Sequence, residues 1–242
     1  MVDTGRAKDA SRIDTKGQLA TFDTSVSRGE AAGLVSYLER DAIPMEMATP
    51  PYALAGPNIP FWVLFGLFCL GEWATQFRSR MNRNGARSER GGVVMVNVCV
   101  VGGQIVAFAL ALWHRAEFVV GIWPLFGVGL GLMAVGIFIR QWSIITLGRF
   151  FTVDVRVHPN QTIVDSGPYR WVRHPSYTGL IMFNVGLGLA LSNWAALAVM
   201  LLLPTVGLIV RIRVEERALV AQLGDDYRRF AGTRRRLLPG VW

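Results

Sequence analysis

Five apolar runs, two of whose separating segments are rich in arginine, most limit how this 242-residue chain can fold. A helix needs about 20 predominantly apolar residues to cross the ~30 Å hydrocarbon layer of a bilayer. The composition agrees, because 52% of the residues are hydrophobic and 17% are charged, against about 25% charged residues in an average soluble domain. The sequence therefore predicts an all-α polytopic membrane protein with five transmembrane helices, at Pro60–Phe77, Gly91–Trp113, Phe118–Ile139, Ser176–Leu191 and Trp194–Val210.

The last two runs are separated only by Ser192 and Asn193. A connection this short predicts a tight antiparallel hairpin, with each arm slightly short for a full crossing. The third run carries no charge as far as Ile139, and its pattern continues through Arg140 toward Leu147 as a helix.

Basic residues are concentrated in three segments that five alternating crossings place on one side of the membrane. Residues 78–90 contain five Arg and one Glu, residues 148–175 contain four Arg and two Asp, and residues 211–242 contain eight Arg and four acids. By the positive-inside rule this side is the cytoplasm. The prediction is a multi-pass integral membrane protein with its N-terminus outside and its C-terminus in the cytoplasm, and with no nucleic-acid partner.

The chain divides into three regions by composition. Residues 1–59 form an N-terminal extension, rich in Ser, Thr and Gly up to about Gly29, which we expect to be partly disordered or to lie on the membrane surface. Residues 60–147 contain the first three predicted spans. Residues 148–242 contain the last two spans and most of the polar side chains that are capable of chemistry.

One polar block leads directly into the fourth predicted span. Pro175 suits the first turn of a helix, where no N–H partner is needed, so Arg173 and His174 are expected at the N-terminal mouth of that helix. Such a mouth favours an anion, because its N–H groups are free and the helix dipole is positive there. Interfacial anchoring is the alternative interpretation, and for Arg170 and Trp171 it is the favoured one.

A second polar block follows the fifth predicted span. The helix is expected to continue to Leu223 and to end at Gly224. Its adjacent acids, Glu215 and Glu216, are able to bind hydroxyl or ammonium groups of a ligand. A solvated juxtamembrane helix with i,i+4 ion pairs is the alternative. Because the hairpin arms are antiparallel neighbours, residues 173–179 are predicted to lie beside residues 211–219.

These two blocks together resemble the isoprenylcysteine carboxyl methyltransferase family over roughly residues 140–242. The resemblance is carried by Gly167-Pro168-Tyr169, Arg173-His174-Pro175-Ser176-Tyr177-Thr178-Gly179, Arg213-Val214-Glu215-Glu216, Gly224-Asp225-Asp226-Tyr227 and Leu238-Pro239. It implies an integral membrane enzyme that uses S-adenosylmethionine, has no metal, and forms a cytoplasmic cofactor pocket within residues 148–242. It also implies cofactor contacts from Tyr169, His174, Pro175, Tyr177, Gly179 and Glu215, and catalytic positions for Arg173, Arg213 and Glu216. Of these, Arg213 is the candidate for holding the acceptor carboxylate.

The resemblance indicates methyl transfer to a carboxylate of a lipidated or lipid-like substrate, with the bilayer and an isoprenylated or lipidic acceptor as partners. Three other enzyme classes stay open. Phospholipid N-methyltransferases and small-thiol S-methyltransferases share the pattern, and sterol-reductase-like NADPH oxidoreductases have a similar Arg-His and Tyr block. A non-catalytic membrane scaffold is the last alternative.

Four further features have interpretations of their own. Gly127 to Gly131 lie inside an uncharged span without a preceding strand, so a helix–helix contact is favoured over a nucleotide loop. Glu72 lies within the first predicted span, where it either meets a partner or pocket or sits near the interface. Cys69 and Cys99 are interpreted as packing residues, and His114 and His158 as loop residues.

Overall fold

The computed structural model describes residues 12–13, 19–20, 50–81, 90–112, 118, 121–151, 153 and 162–238. Chain contacts separate two units, Met1–Ala48 and Thr49–Trp242. In the first unit two short strands, β1 (Arg12–Ile13) and β2 (Leu19–Ala20), pair antiparallel, so the all-α prediction needs this small exception. The predictions for His114, for His158 and for most of residues 1–59 fall outside the described residues.

The described part of the second unit is built from helices. In chain order they are α1 (Asn58–Met81), α2 (Arg90–Asn97), α3 (Gly103–Ala111), α4 (Ile122–Leu147), α5 (Pro175–Ala190), α6 (Trp194–Leu223) and α7 (Asp225–Thr233). A π-helical turn, Val98–Gly102, joins α2 to α3 with helical backbone angles at both ends, so the two helices form one continuous rod. Short 3₁₀ turns lie at Pro51–Ala53, Gly148–Phe150 and Gly167–Arg170.

Three helices of the described chain are long and apolar enough to cross a membrane, at Val94–Ala111, Ile122–Phe150 and Trp194–Leu223. This supports an integral membrane protein. The predicted spans at Pro60–Phe77 and Ser176–Leu191 lie in α1 and α5, which do not meet the same criterion. With 16 residues, α5 is only about 24 Å long. The count of five crossings and their orientation therefore stay predictions.

The hairpin between α5 and α6 forms at the predicted turn. The side chain of Asn193 caps α6 by accepting a hydrogen bond from the N–H of Ala196 at 3.0 Å. Its amide group also donates to the carbonyl of Leu110 at 3.0 Å, which ties the turn to the end of α3. At the far end, Gly224 terminates α6 with a positive φ of 56°, as the sequence predicts.

Helices α4 and α5 pack backbone against backbone through glycines. A Cβ atom added at Gly136 would lie 2.6 Å from the carbonyl oxygen of Gly179, and one added at Gly129 would lie 2.7 Å from that of Gly186. Small residues of this kind let membrane helices approach closely. The predicted contact is thus confirmed at Gly129, whereas added Cβ atoms at Gly127 and Gly131 would meet nothing within 4 Å.

The packed centre and the outer surface of this bundle are both apolar. Phe68 of α1 stacks on Phe183 of α5 with ring centroids 3.7 Å apart, in a core that also includes Met133, Leu187, Met200 and Leu208. Large side chains outside the core are well exposed, among them Leu70, Trp73, Ile105, Ile145 and Leu202. A surface of this kind suits contact with lipid tails rather than water.

Candidate active site

The beginning of α5 and the latter half of α6 meet at one end of the hairpin. The hydroxyl of Tyr177 donates a hydrogen bond to Oε2 of Glu215 at 2.6 Å. His174 precedes α5, and its ring stacks on that of Tyr177 with centroids 5.6 Å apart and planes 14° apart. The juxtaposition expected from the antiparallel hairpin is therefore confirmed.

Glu216 is the centre of a cluster of cationic and imidazole groups. Its Oε1 lies 2.7 Å from Nη1 of Arg173 and 3.3 Å from Nε2 of His174, while its Oε2 accepts from Nε of Arg236 at 3.0 Å. The side chains of Arg173 and Glu216 are each 12% exposed. Charge-assisted hydrogen bonds are strongest where water is largely excluded, so this carboxylate holds its three partners in fixed positions.

The C-terminal segment runs beside the start of α5. The N–H groups of Arg173 and His174 donate to the carbonyls of Arg235 and Arg236, at 2.8 and 2.9 Å. The hydroxyl of Thr178 donates to the carbonyl of Leu237 at 2.7 Å. These bonds bring Arg236 to Glu216, a contact that the sequence interpretation missed because it assigned the arginines at 234–236 to topology alone.

Several predicted cofactor residues are buried around this cluster. Tyr169, His174 and Pro175 are all buried, and Pro175 occupies the first turn of α5 as expected. Burial raises the pKa of the Tyr169 phenol well above its ordinary value, and the charge of Glu215 raises it further. The phenol therefore stays a neutral hydrogen-bonding group. Gly179 faces α4, where an added Cβ would lie 2.8 Å from the backbone nitrogen of Arg140.

The arginines of α6 differ sharply in environment. Arg213, the predicted holder of the acceptor carboxylate, is exposed, whereas Arg211 is 4% exposed. The guanidinium of Arg211 donates through Nε to the hydroxyl of Tyr177 at 3.4 Å and through Nη2 to the carbonyl of Val153. Arg211 is thus a candidate site residue that the resemblance did not indicate. Its signal in the sequence is its position one helical turn before Glu215.

A cavity of about 70 Å³ lies next to Tyr177 and Arg211. Residues of α1, α2, α4, α5 and α6 contribute to its walls, which contain both polar and apolar side chains: Glu72, Gln76, Val96, Asn97, Val100, Arg140, Phe151, Val153, Tyr177, Leu180 and Arg211. Glu72 faces this cavity and forms an ion pair with Arg140. Of the two interpretations of Glu72, the partner-and-pocket one is confirmed.

Helix α7 closes another side of the site. Tyr227 is 4% exposed. Burial raises the pKa of its phenol above the ordinary value, and the charge of Glu216 adds to this effect. The first turn of α7 carries Asp225 and Asp226, which suit the positive end of the helix dipole.

Comparison with known proteins matches the same part of the chain. Residues 129–221 match the model of the isoprenylcysteine carboxyl methyltransferase (ICMT) family. The chain is 29% identical over 103 residues to protein-S-isoprenylcysteine O-methyltransferase of Schizosaccharomyces pombe, covering 42% of this chain and 44% of the yeast protein. It is 30% identical over 93 residues to the uncharacterized protein YpbQ of Bacillus subtilis, covering 38% of this chain and 55% of YpbQ. The matches thus span about half the length of these relatives.

The fold has a counterpart among solved structures. The chain superposes on the eukaryotic intramembrane Ras methyltransferase ICMT with a TM-score of 0.58 and 20% sequence identity, covering 79% of this chain and 72% of that one. At this identity the likeness concerns the fold. The family match covers α4 from Gly129, all of α5 and most of α6, which include the glycine contact, the hairpin and Glu216. The part of the chain that matches the model of the isoprenylcysteine carboxyl methyltransferase family is thus the part that carries the hairpin and Glu216.

Proposed function

We propose that this protein is a membrane methyltransferase that transfers a methyl group from S-adenosylmethionine to a carboxylate of a lipidated substrate. The observation that carries the proposal is the cluster of Arg173, His174 and Arg236 around Glu216, beside the Tyr177–Glu215 hydrogen bond. The cluster is built largely from the region that matches the family, whose named relatives act on isoprenylcysteine.

The chemistry of the donor set fits S-adenosylmethionine. The amino acid part of that cofactor presents both an ammonium and a carboxylate, and this site presents both acids and cations. Within the described chain, Nε of Arg173 is buried and makes no hydrogen bond of normal geometry, although the guanidinium interacts with the phenol of Tyr227. A buried polar atom of this kind is normally satisfied, so Arg173 is suited to an anionic ligand group. The residues we propose for the cofactor are Tyr169, His174, Pro175, Tyr177, Gly179 and Glu215.

When bound, S-adenosylmethionine supplies a methyl group activated by its positively charged sulfur. A carboxylate acceptor is already ionised near neutral pH, so the protein needs no strong base. The residues must instead orient the acceptor, neutralise its charge and exclude water. We propose Arg173 and Glu216 near the reacting end. Either Arg213 or the buried Arg211 holds the acceptor carboxylate, and the burial of Arg211 favours the latter.

The surroundings suit a substrate with a long apolar tail. Exposed side chains such as Trp73 of α1 and Ile145 of α4 form the outer face of the helices whose inner faces line the cavity. A tail that remains in the bilayer therefore stays close to the site. The eight arginines of residues 211–242, the segment that carries Glu215 and Glu216, support a site that faces the cytoplasm.

Binding measurements test the proposal directly. Isothermal titration of the purified protein in detergent is expected to show binding of S-adenosylhomocysteine and no binding of NADPH. Incubation with labelled S-adenosylmethionine and a panel of farnesylcysteine analogues, phospholipids and small thiols then identifies the acceptor. Label on the farnesylcysteine carboxyl group supports the proposal. Label on a phospholipid amine or a thiol would show that the acceptor is that amine or thiol and not a carboxylate. Binding of NADPH alone would overturn the proposal.

A further inference from the structure

We propose that Arg140, held by Glu72, is a positioning residue that fixes the first turn of α5 for methyl transfer. The inference rests on the proposed function and concerns residues to which the resemblance assigns no role. Glu72 lies in α1 and Arg140 in α4. Because the family match begins at residue 129, the ion pair joins a helix outside the matched region to the helix that packs against α5.

The geometry uses the whole guanidinium fork of Arg140. Its Nε and Nη2 donate to the two carboxylate oxygens of Glu72, the second at 2.6 Å. Its Nη1 donates to the hydroxyl of Ser176 at 3.0 Å and to the carbonyl of Ser176 at 3.3 Å. One planar cation therefore connects three helices. A bidentate fork of this kind fixes direction as well as distance, which a single ammonium group does not.

Burying the charges of Arg140 and Glu72 costs free energy, because both groups lose contact with water. The side chains of Arg140 and Glu72 are 9% and 23% exposed. An ionised residue inside a membrane protein is costly, faces a partner or cavity, and commonly marks function. Replacing a buried ion pair by packed apolar groups is often neutral or stabilising, so stability alone gives little reason for the pair.

The position of Ser176 explains what the pair does. Ser176 lies between Pro175 and Tyr177, and it is two residues from His174. Holding its carbonyl and hydroxyl therefore fixes the turn that presents His174 to Glu216 and Tyr177 to Glu215. Beneath this turn, the close contact between Gly136 and Gly179 leaves α5 no room to move toward α4. Arg140 supplies the polar restraint at the end that carries the site.

The experiment compares four variants of the full-length protein in detergent. Glu72→Gln removes the charge of the partner. Arg140→Lys keeps a cation but loses the fork. The double exchange Glu72→Arg with Arg140→Glu keeps a charge pair but removes both bonds that Arg140 donates to Ser176. Gln104→Leu is the matched control, because it breaks a buried polar contact between α3 and α5, to Asn184, away from the site. Unfolding midpoint, affinity for S-adenosylhomocysteine, kcat and KM are measured for each.

If Arg140 is a positioning residue, its substitution should lower ligand affinity and kcat without a matching fall in the unfolding midpoint. Arg140→Lys and the double exchange should unfold within a few degrees of the wild type, yet bind S-adenosylhomocysteine about tenfold more weakly and show lower kcat. Gln104→Leu should change the unfolding midpoint and leave affinity and kcat unchanged. If affinity instead follows the unfolding midpoint in all four variants, or stays at the wild-type value in Arg140→Lys and the exchange, the inference is overturned. Failure of the wild type to bind S-adenosylhomocysteine would overturn the proposed function itself.

Discussion

The hydroxyl of Tyr177 lies 2.6 Å from Oε2 of Glu215, although 38 residues separate the two in sequence. The contact closes the open end of the α5–α6 hairpin, whose turn at Asn193 lies at the opposite end. Because Tyr177 also accepts from Arg211, one phenol links an acid and a cation.

Removing that hydroxyl should weaken the site without unfolding the protein. In Tyr177→Phe, the carboxylate of Glu215 loses a partly buried donor, which costs on the order of 1 kcal/mol. Affinity for S-adenosylhomocysteine, measured by titration, is expected to fall. Tyr52→Phe is the control, because it removes only a hydroxyl that donates to the carbonyl of Ala111 at the other end of the bundle. Equal affinity in Tyr177→Phe and the wild type would contradict the role of this contact.

The two α6 arginines are expected to differ in their effect on the acceptor. Arg211→Ala should lower kcat/KM for a farnesylcysteine acceptor by about tenfold or more, because a buried positive group beside the cavity is lost. Arg213→Ala should stay close to the wild type, since its side chain is exposed. Steady-state kinetics with the acceptor as the varied substrate checks both. The reverse order of effects would return the role to Arg213, as the resemblance implies.

Gly179 should be needed for the packing of α5 against α4, whether or not it contacts the cofactor. A Cβ in Gly179→Ala would lie 2.6 Å from the carbonyl oxygen of Gly136, so the variant must push α4 and α5 apart. Overpacking of this kind costs about 1–3 kcal/mol, which should lower the unfolding midpoint. Gly131→Ala is the matched control on α4, because its Cβ would meet nothing within 4 Å. An unfolding midpoint in Gly179→Ala as high as in this control would show that the helices adjust freely.

Alkaline pH should destabilise the folded protein partly through Tyr227. Its pKa is raised in the folded state by burial and by the charge of Glu216. The folded state therefore holds a proton that the unfolded chain releases near pH 10, so the contribution to stability is present below that pH and is lost as pH rises. In unfolding measurements across this range, Tyr227→Phe should lose less stability than the wild type. Parallel pH curves for the two proteins would show that Tyr227 contributes nothing to the dependence.

Local signals in the sequence predicted the hairpin well. Asn193 is a strong helix cap, Gly224 accepts a positive φ, and the short connection forces α5 and α6 to be neighbours, so each boundary follows from a nearby residue. The same hairpin predicted that residues 173–179 lie beside residues 211–219, and this neighbourhood brings His174 to Glu216.

Local signals do not predict contacts that depend on how a helix is rotated about its axis or on where a distant segment of the chain packs. Residues two apart on a helix point about 200° from each other, so only one of Arg211 and Arg213 can face the bundle, and the spacing does not say which. The pairing of Glu72 with Arg140 depends on how α1 and α4 pack, across 68 residues of sequence. The contact of Arg236 with Glu216 depends on the C-terminal segment turning back beside α5.

Apolarity alone does not fix the number of membrane crossings. Three helices of the described chain are long and apolar enough to form a span, whereas α5 is short, as expected, because Pro175 and the turn at Ser192 limit its length. Its buried face packs against α4 and α6 through glycines. A run that is apolar because it is buried in a bundle has the same composition as one that faces lipid, so the sequence does not separate the two cases.

The central claim, methyl transfer to a carboxylate at the Glu216 cluster, is tested most directly by the chemistry of the product. The purified protein is incubated with methyl-labelled S-adenosylmethionine and farnesylcysteine, and the product is treated with mild base, which releases methanol from a methyl ester but not from a methylated amine or thioether. With the wild type, we expect label that mild base releases. With Glu216→Gln, we expect the rate of labelling to fall at least about tenfold, because Arg173, His174 and Arg236 no longer contact a negatively charged carboxylate. Asp226→Asn, which alters an exposed pair with Arg229, serves as the control. Label that withstands base, or full activity in Glu216→Gln, would contradict the account.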